Sequence, residues 1–125
     1  MSDNPVGWFE IHVSDMARAK KFYESVLGIQ LEKLDSPSPD VEMTSFPMTM
    51  DGANASGALC KMEGVNPGGN SVIVYFVCKD CAVEASRVEA AGGKVQNPKM
   101  AIGDYGFCAM AVDTEGNTFG LHSCE

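Results

Sequence analysis

Apolar and polar residues alternate strictly through Trp8-Phe9-Glu10-Ile11-His12-Val13, and then Ser14-Asp15 breaks the pattern. Alternation of period two puts Phe9, Ile11 and Val13 on one face of a strand spanning about 7–13, and Trp8, Glu10 and His12 on the other. From Asp15 the period changes. Met16, Ala19, Phe22/Tyr23 and Val26/Leu27 recur at three and four, an apolar stripe along a helix. Lys20, Lys21, Glu24 and Ser25 form its wet face, Asp15 suits its N-cap and Gly28 its stop. Ile29–Leu34, Val41–Met48 and Ala58–Met62 read as three further strands. They are joined by a turn at Ser36–Asp40 and a flexible connection from Asp51-Gly52 to Ser56-Gly57.

The pattern then repeats. Glu63–Asn70, half glycine and proline, links two halves. Ser71–Cys78 is a strand, and Asp80 caps a helix ending at Gly92-Gly93 with a stripe of Cys81, Ala85, Val88 and Gly92. Asp15 to Gly28 and Asp80 to Gly93 are the same distance apart, and an offset of 65 lays Trp8 on Ile73, Glu10 on Tyr75 and His12 on Val77. Strands follow at Lys94–Gln96, Phe107–Val112 and Thr118–His122, with a loop at Asn97–Gly106 and a tight turn at Asp113–Asn117, where Gly116 and Asn117 tolerate positive φ. Each half is β-α-β-β-β. About sixty residues is thin for an independent core, so residues 1–125 read as one α+β domain. Module one is 5–62, the linker 63–70 and module two 71–123.

Composition narrows the partners. The formal net charge of −8 disfavours nucleic acid and anionic membrane, both of which want a basic footprint. No apolar run is long enough to span a bilayer, and Met1–Pro5 lacks the features of a secretory leader. Five cysteines, an odd number, read as free thiols in a reducing cytoplasm.

The combined motifs resemble the vicinal-oxygen-chelate superfamily, which contains glyoxalase I, bleomycin-resistance proteins and extradiol dioxygenases. They are Val13-Ser14-Asp15, a helix carrying Arg18 and Phe22-Tyr23, Val26-Leu27-Gly28, Glu89–Val95 and the closing Asp113–His122. The resemblance covers essentially the whole chain. It implies two tandem β-α-β-β-β modules forming a curved mixed sheet around a cleft, with helices on the convex side, Trp8, Glu10 and His12 facing the cleft, and a homodimer. Metal-dependent members draw ligands from the first and last strand of each module. Those positions here are Trp8, Ile73, Gly120 and the neighbourhood of Gly57–Leu59, which offer no carboxylate or imidazole. The standard metal site is therefore expected to be absent, and no cofactor is expected.

Two function classes stay open. In the first, an enzyme of lyase or isomerase type acts on a small carbonyl compound, with Glu10 as general base and His12 or Tyr75 as proton donor. In the second, the chain binds a small molecule, antibiotics included, without catalysis. The cleft then offers Trp8, Ile73, Tyr105 and His122 as contacts. Glu10 and His12 equally read as a structural polar pair, and a displaced divalent metal on Glu10, His12 and His122 is a further alternative. Cys78-Lys79-Asp80-Cys81 stands at a helix start, where a thiolate is stabilised. Cys78 maps onto Val13, however, and reads better as a buried packing residue. The methionines of strands three, four and seven suit either an adaptable pocket or core filling. Gly103–Gly106, carrying Tyr105, reads as a cover over the cleft or a plain glycine turn.

Overall fold

Two aspartates turn strands into helices. Asp15 follows strand β1 (Trp8–His12) with extended backbone and accepts a hydrogen bond from the Arg18 amide at 3.1 Å, capping α1 (Met16–Leu27). The buried residues of α1 are Met16, Ala19, Phe22, Tyr23 and Val26, the stripe expected from its spacing. Gly28 ends it in the left-handed region, φ +67°, donating to the Glu24 carbonyl at 3.0 Å. Asp80 caps α2 (Cys81–Val88) in the same way, through the Ala82 amide at 3.0 Å. This helix stops short of Gly92 because Glu89–Gly92 tightens into bonds of three-residue span, Ala91 to Val88 and Gly92 to Glu89.

The computed structural model describes residues 8–35, 39–48, 55–69 and 72–125. The Met1–Pro5 reading, the core of the Ser36–Asp40 turn, most of the Asp51–Gly57 connection and the end of the linker lie outside the described residues. The first module adds β2 (Glu32–Leu34), β3 (Val41–Ser45) and β4 (Ser56–Met62), and the second has β5 (Val74–Val77), β6 (Lys94–Ala101), β7 (Phe107–Val112) and β8 (Thr118–Ser123). They form two four-stranded mixed sheets of identical topology, β1-β4-β3-β2 and β5-β8-β7-β6. In each, the first strand runs parallel to the last and the other pairs are antiparallel. The sequence expectation ended β6 at Gln96 and placed a loop beyond it. The strand instead continues to Ala101, because register shifts between Val95 and Asn97 and between Asn97 and Met100 let it pass Pro98.

The modules share one core. Ile11, Val13, Phe22, Tyr23 and Leu59 of the first pack with Val88, Ala109, Phe119 and Leu121 of the second. The Tyr23 ring stands 5.7 Å from Phe46, 5.8 Å from Phe76 and 5.5 Å from Phe119, centroid to centroid, so one helix side chain touches both sheets. The Asp113–Asn117 turn fastens the halves. Tyr23 Oη donates to Asp113 Oδ2 at 2.6 Å, and the Asn117 amide donates to the His12 carbonyl at 2.9 Å and accepts from Gly68 N at 2.7 Å. Gly116 has positive φ, +85°, as expected. Asn117 does not: its place in the turn rests on its buried amide rather than on a left-handed backbone. From the other side, Arg87 donates to the Val26 carbonyl at 3.1 Å, occupying an orphan acceptor at the end of α1. Among the described residues no helix is long and apolar enough to cross a membrane, which says nothing of β-barrels.

Gly57 of β4 sits directly opposite Phe9 of β1. A Cβ there would collide with the Phe9 carbonyl oxygen and ring. The oxygen belongs to backbone locked in the β1–β4 ladder, so it cannot move aside. Gly57→Ala should lower the unfolding free energy by about 1–3 kcal/mol, read from urea denaturation midpoints.

Candidate functional site

On the first sheet, Phe9, Ile11 and Val13 face the core, and Trp8, Glu10 and His12 point the other way. Register sets Trp8 beside Ser56, Glu10 beside Ala58 and His12 beside Cys60. The sequence left Glu10 and His12 as a pair. In the structure the Glu10 carboxylate instead accepts from Trp8 Nε1 at 3.2 Å and lies against the Cys60 thiol. Burial first, then the negative charge of Glu10 beside it, push the Cys60 pKa up to about 12, so this thiol stays protonated next to the carboxylate. His12 Nδ1 is enclosed and has no hydrogen-bond partner.

On the second sheet, Tyr75 pairs with Gly120 and Val77 with His122, all facing away from the core. The Tyr75 ring lies directly over Gly120 and fills the space that a side chain at position 120 would need. His122 Nε2 meets the Tyr105 carbonyl at 2.7 Å, which ties the 3-10 turn Gly103–Tyr105 to β8. The Tyr105 side chain remains exposed.

The two registers superimpose the modules. Glu10 beside Ala58 corresponds to Tyr75 beside Gly120. The expected ligand positions are thus Trp8, Ala58, Ile73 and Gly120, the Gly57–Leu59 neighbourhood narrowing to Ala58. Among the described residues no three or more His, Cys, Asp or Glu side chains are grouped to share an ion, so Glu10 and His12 on one sheet are not brought together with His122 on the other. Nor is Tyr75 in the Glu10 cluster.

Among the described residues neither outer edge next to the junction has a strand neighbour, though Asn117 reaches the His12 carbonyl of β1. Val13 N donates to Cys60 O, so by alternation the peptide groups of Glu10 and His12 point away from β4. Cys78 N donates to His122 O, so those of Tyr75 and Val77 point away from β8. A cavity of about 380 Å³ lies along the β1 edge, walled by Glu10, His12, Tyr23, Val74, Asn117 and Phe119. A second, of about 550 Å³, runs along β5 and is mainly aromatic and aliphatic, with Phe9, Phe46, Tyr75, Phe76 and Val77 among its walls. Both volumes are of small-molecule size. Val77 is 79% exposed and Tyr75 51%.

Cys78 and Cys81 are buried free thiols. Burial, then Glu84, push the Cys78 pKa up to about 12, the opposite of what a reactive thiol requires, and both cysteines pack in the core. Sequence reasoning missed Cys60. Its link to Glu10 follows from the parallel pairing of β1 with β4, which local alternation does not reveal.

The profile of the Glyoxalase/Bleomycin resistance protein/Dioxygenase superfamily matches residues 6–121. A mycobacterial protein named as a candidate glyoxylase, CFP32, from Mycobacterium tuberculosis and Mycobacterium bovis, is 30% identical over 91% of this chain. The chain spans 43% of the length of those relatives. A glyoxalase I variant from Zea mays superposes with a TM-score of 0.77 at 23% identity, over 99% of this chain and 47% of that one. An antibiotic-binding protein from Streptomyces superposes with a TM-score of 0.70 at 28% identity, over 98% of both chains.

Proposed function

This chain belongs to the glyoxalase/bleomycin resistance protein/dioxygenase superfamily, and from that premise we propose that it is a metal-independent small-molecule-binding protein. The observation that carries the reading is the engagement of Glu10. Its carboxylate accepts from Trp8 Nε1 and faces the protonated Cys60 thiol, and Tyr75, the other candidate proton carrier, stands over Gly120 on the second sheet, away from it. A general base needs a lone pair aimed at substrate, with a proton donor nearby. A binder needs an aromatic wall and a few polar groups, which Phe9, Phe46, Tyr75 and Phe76 around the β5 cavity and Glu10, His12 and Asn117 around the β1 cavity supply. Trp8, Ala58, Ile73 and Gly120 do not fit a divalent ion, because none offers an oxygen or imidazole ligand and the Tyr75 ring fills the space at Gly120. The favoured ligand is planar and largely apolar, matched to the mainly aromatic and aliphatic β5 cavity. Full-length similarity to an antibiotic-binding protein supports that class.

A second copy of the chain is part of this reading. Open edges at β1 and β5 and the exposed apolar residues of β5 favour a homodimer that covers them. One observation favours catalysis instead. The unpartnered His12 Nδ1 is the kind of group a proton transfer uses, with Glu10 released from Trp8 when substrate binds.

A thermal-shift screen with planar aromatic drugs, glutathione thioesters, 2-oxo acids and divalent metals separates these readings. Stabilisation by an aromatic compound without metal is expected. Tyr75→Ala, which removes an aromatic wall of the β5 cavity, should then weaken that compound roughly tenfold or more, and Glu10→Gln only a few-fold. Turnover of a thioester that Glu10→Gln abolishes, or saturable stabilisation by a divalent ion, would overturn the binding reading.

A further inference from the structure

We propose that Met100, Cys108 and His122 form a site for one soft monovalent cation, Cu(I) under reducing conditions. The three residues stand in one row across the second sheet. Met100 of β6 pairs directly with Cys108 of β7, and Cys108 pairs directly with His122 of β8. Side chains directly opposite on adjacent strands share a face, with Cβ atoms about 4.5–5.5 Å apart.

The face is the one turned away from the helices. Ala109, Ala111 and Leu121, which alternate with Cys108 and His122, are in the core. Lys99, next to Met100, reaches to the helix side, where its Nζ binds Asp80 at 2.8 Å and lies 4.6 Å from the Phe107 ring centroid. Met100 therefore projects to the Cys108 and His122 side despite the bulges of β6.

A second observation concerns His122 itself. A carbonyl oxygen only accepts, so the 2.7 Å contact between Nε2 and Tyr105 O places a proton on Nε2 and, in the neutral imidazole that a metal requires, leaves Nδ1 as the ligating nitrogen. Metal-binding imidazoles are typically oriented in this way, by donation of the second nitrogen to a carbonyl. Cys108 is only 6% exposed, at the centre of the row, and Met110 follows it on the same face.

Thiolate, imidazole and thioether together select Cu(I) or Ag(I) over the hard divalent ions, and the row contains no carboxylate. On binding, the Cys108 thiol releases its proton to water as the metal–sulfur bond forms, and the oxidation state of the metal does not change. The site is distinct from the family's ligand positions, since the corresponding residue of β8 is Gly120, beneath Tyr75. It does not depend on the small-molecule reading, and either can fail without the other.

The test uses the full chain, reduced and anaerobic, titrated with Cu(I) against a chromophoric chelator. Cys124 is exposed and takes up soft ions by itself, so the reference is the Cys124→Ser chain. One Cu(I) per reference chain is expected. Cys108→Ser should abolish competitive binding, and Met100→Leu, which keeps the side-chain volume, should weaken it roughly tenfold. On saturation the ¹⁵N resonance of His122 Nδ1 should shift while that of His12 stays. Binding that survives Cys108→Ser, binding lost in the reference chain, or an unmoved His122 resonance overturns the proposal. If Cys108→Ser does not fold, Met100→Leu and the His122 resonance decide.

Discussion

Glu115→Ala should lower the unfolding free energy by about 3 kcal/mol, a large loss for a polar side chain. The Glu115 side chain comes from the second module and is fully enclosed at the start of α1 in the first. Its Oε1 accepts from Ser14 N at 2.9 Å, Ser14 Oγ at 2.9 Å and Asp15 N at 3.0 Å. Its Oε2 accepts from Arg18 Nε at 2.7 Å and Thr114 Oγ1 at 3.0 Å. A carboxylate here meets the positive end of the helix and two backbone amides that have no other acceptor among these contacts. Alanine would strand those amides and leave Arg18 without its partner. Arg18 is half in solvent, and that screening holds the loss below the upper range for a broken buried pair.

The same residue sets an acid limit. Burial alone would raise the Glu115 pKa, but the bonds from Arg18, Ser14 and Asp15 outweigh it and bring the value down to about 2. The folded value lies below the ordinary 4.5, so the stabilisation is complete above that value and drains away as pH falls from there toward 2. Urea midpoints measured across that window should fall steeply in the native chain and less steeply in Glu115→Gln. Parallel curves for the two proteins would show that other carboxylates govern acid unfolding.

The second large effect concerns assembly. If the homodimer proposed above forms across β5, Val77→Asp should leave the chain monomeric in sedimentation at concentrations where the unsubstituted chain associates. Val77 is the most exposed of the large apolar residues on β5, at an edge with no strand partner among the described residues. A carboxylate there would be buried without a counter-charge when a second copy covered the edge. A desolvated, unpaired charge costs several kcal/mol, hence a weakening of two orders of magnitude or more. The substitution leaves the shared core untouched, so the monomer should keep its thermal transition. A variant that still sediments as a dimer would remove β5 from the interface.

Much of this architecture was legible from the sequence because it is encoded locally. Asp15 and Asp80 announce both helix starts, Gly28 announces one end, and the offset of 65 aligned the modules before any strand pairing was known. Glu10 and Tyr75 could be placed in equivalent positions for the same reason. What escaped depends on pairings far apart in the chain. The Cys60 partner of Glu10 needs the β1–β4 register, and the role of Glu115 needs a contact across about a hundred residues. Pro98 suggested a loop, and only its bulged pairing with β7 keeps it in a strand. Alternation sent Tyr75 to the right face, but it could not show that the ring would lie on Gly120.

The hold of Glu115 on α1 also fixes an order of events. During synthesis the Ser14 and Asp15 amides emerge about a hundred residues before the carboxylate that receives them. Until then the first module has its helix and strands but neither the aromatic partners Phe76 and Phe119 nor a cap from the second. The nascent half must wait, loosely structured and with apolar surface uncovered. A chain that stalls before β8 should therefore be a substrate for chaperones and proteases, and one released with β8 complete should not.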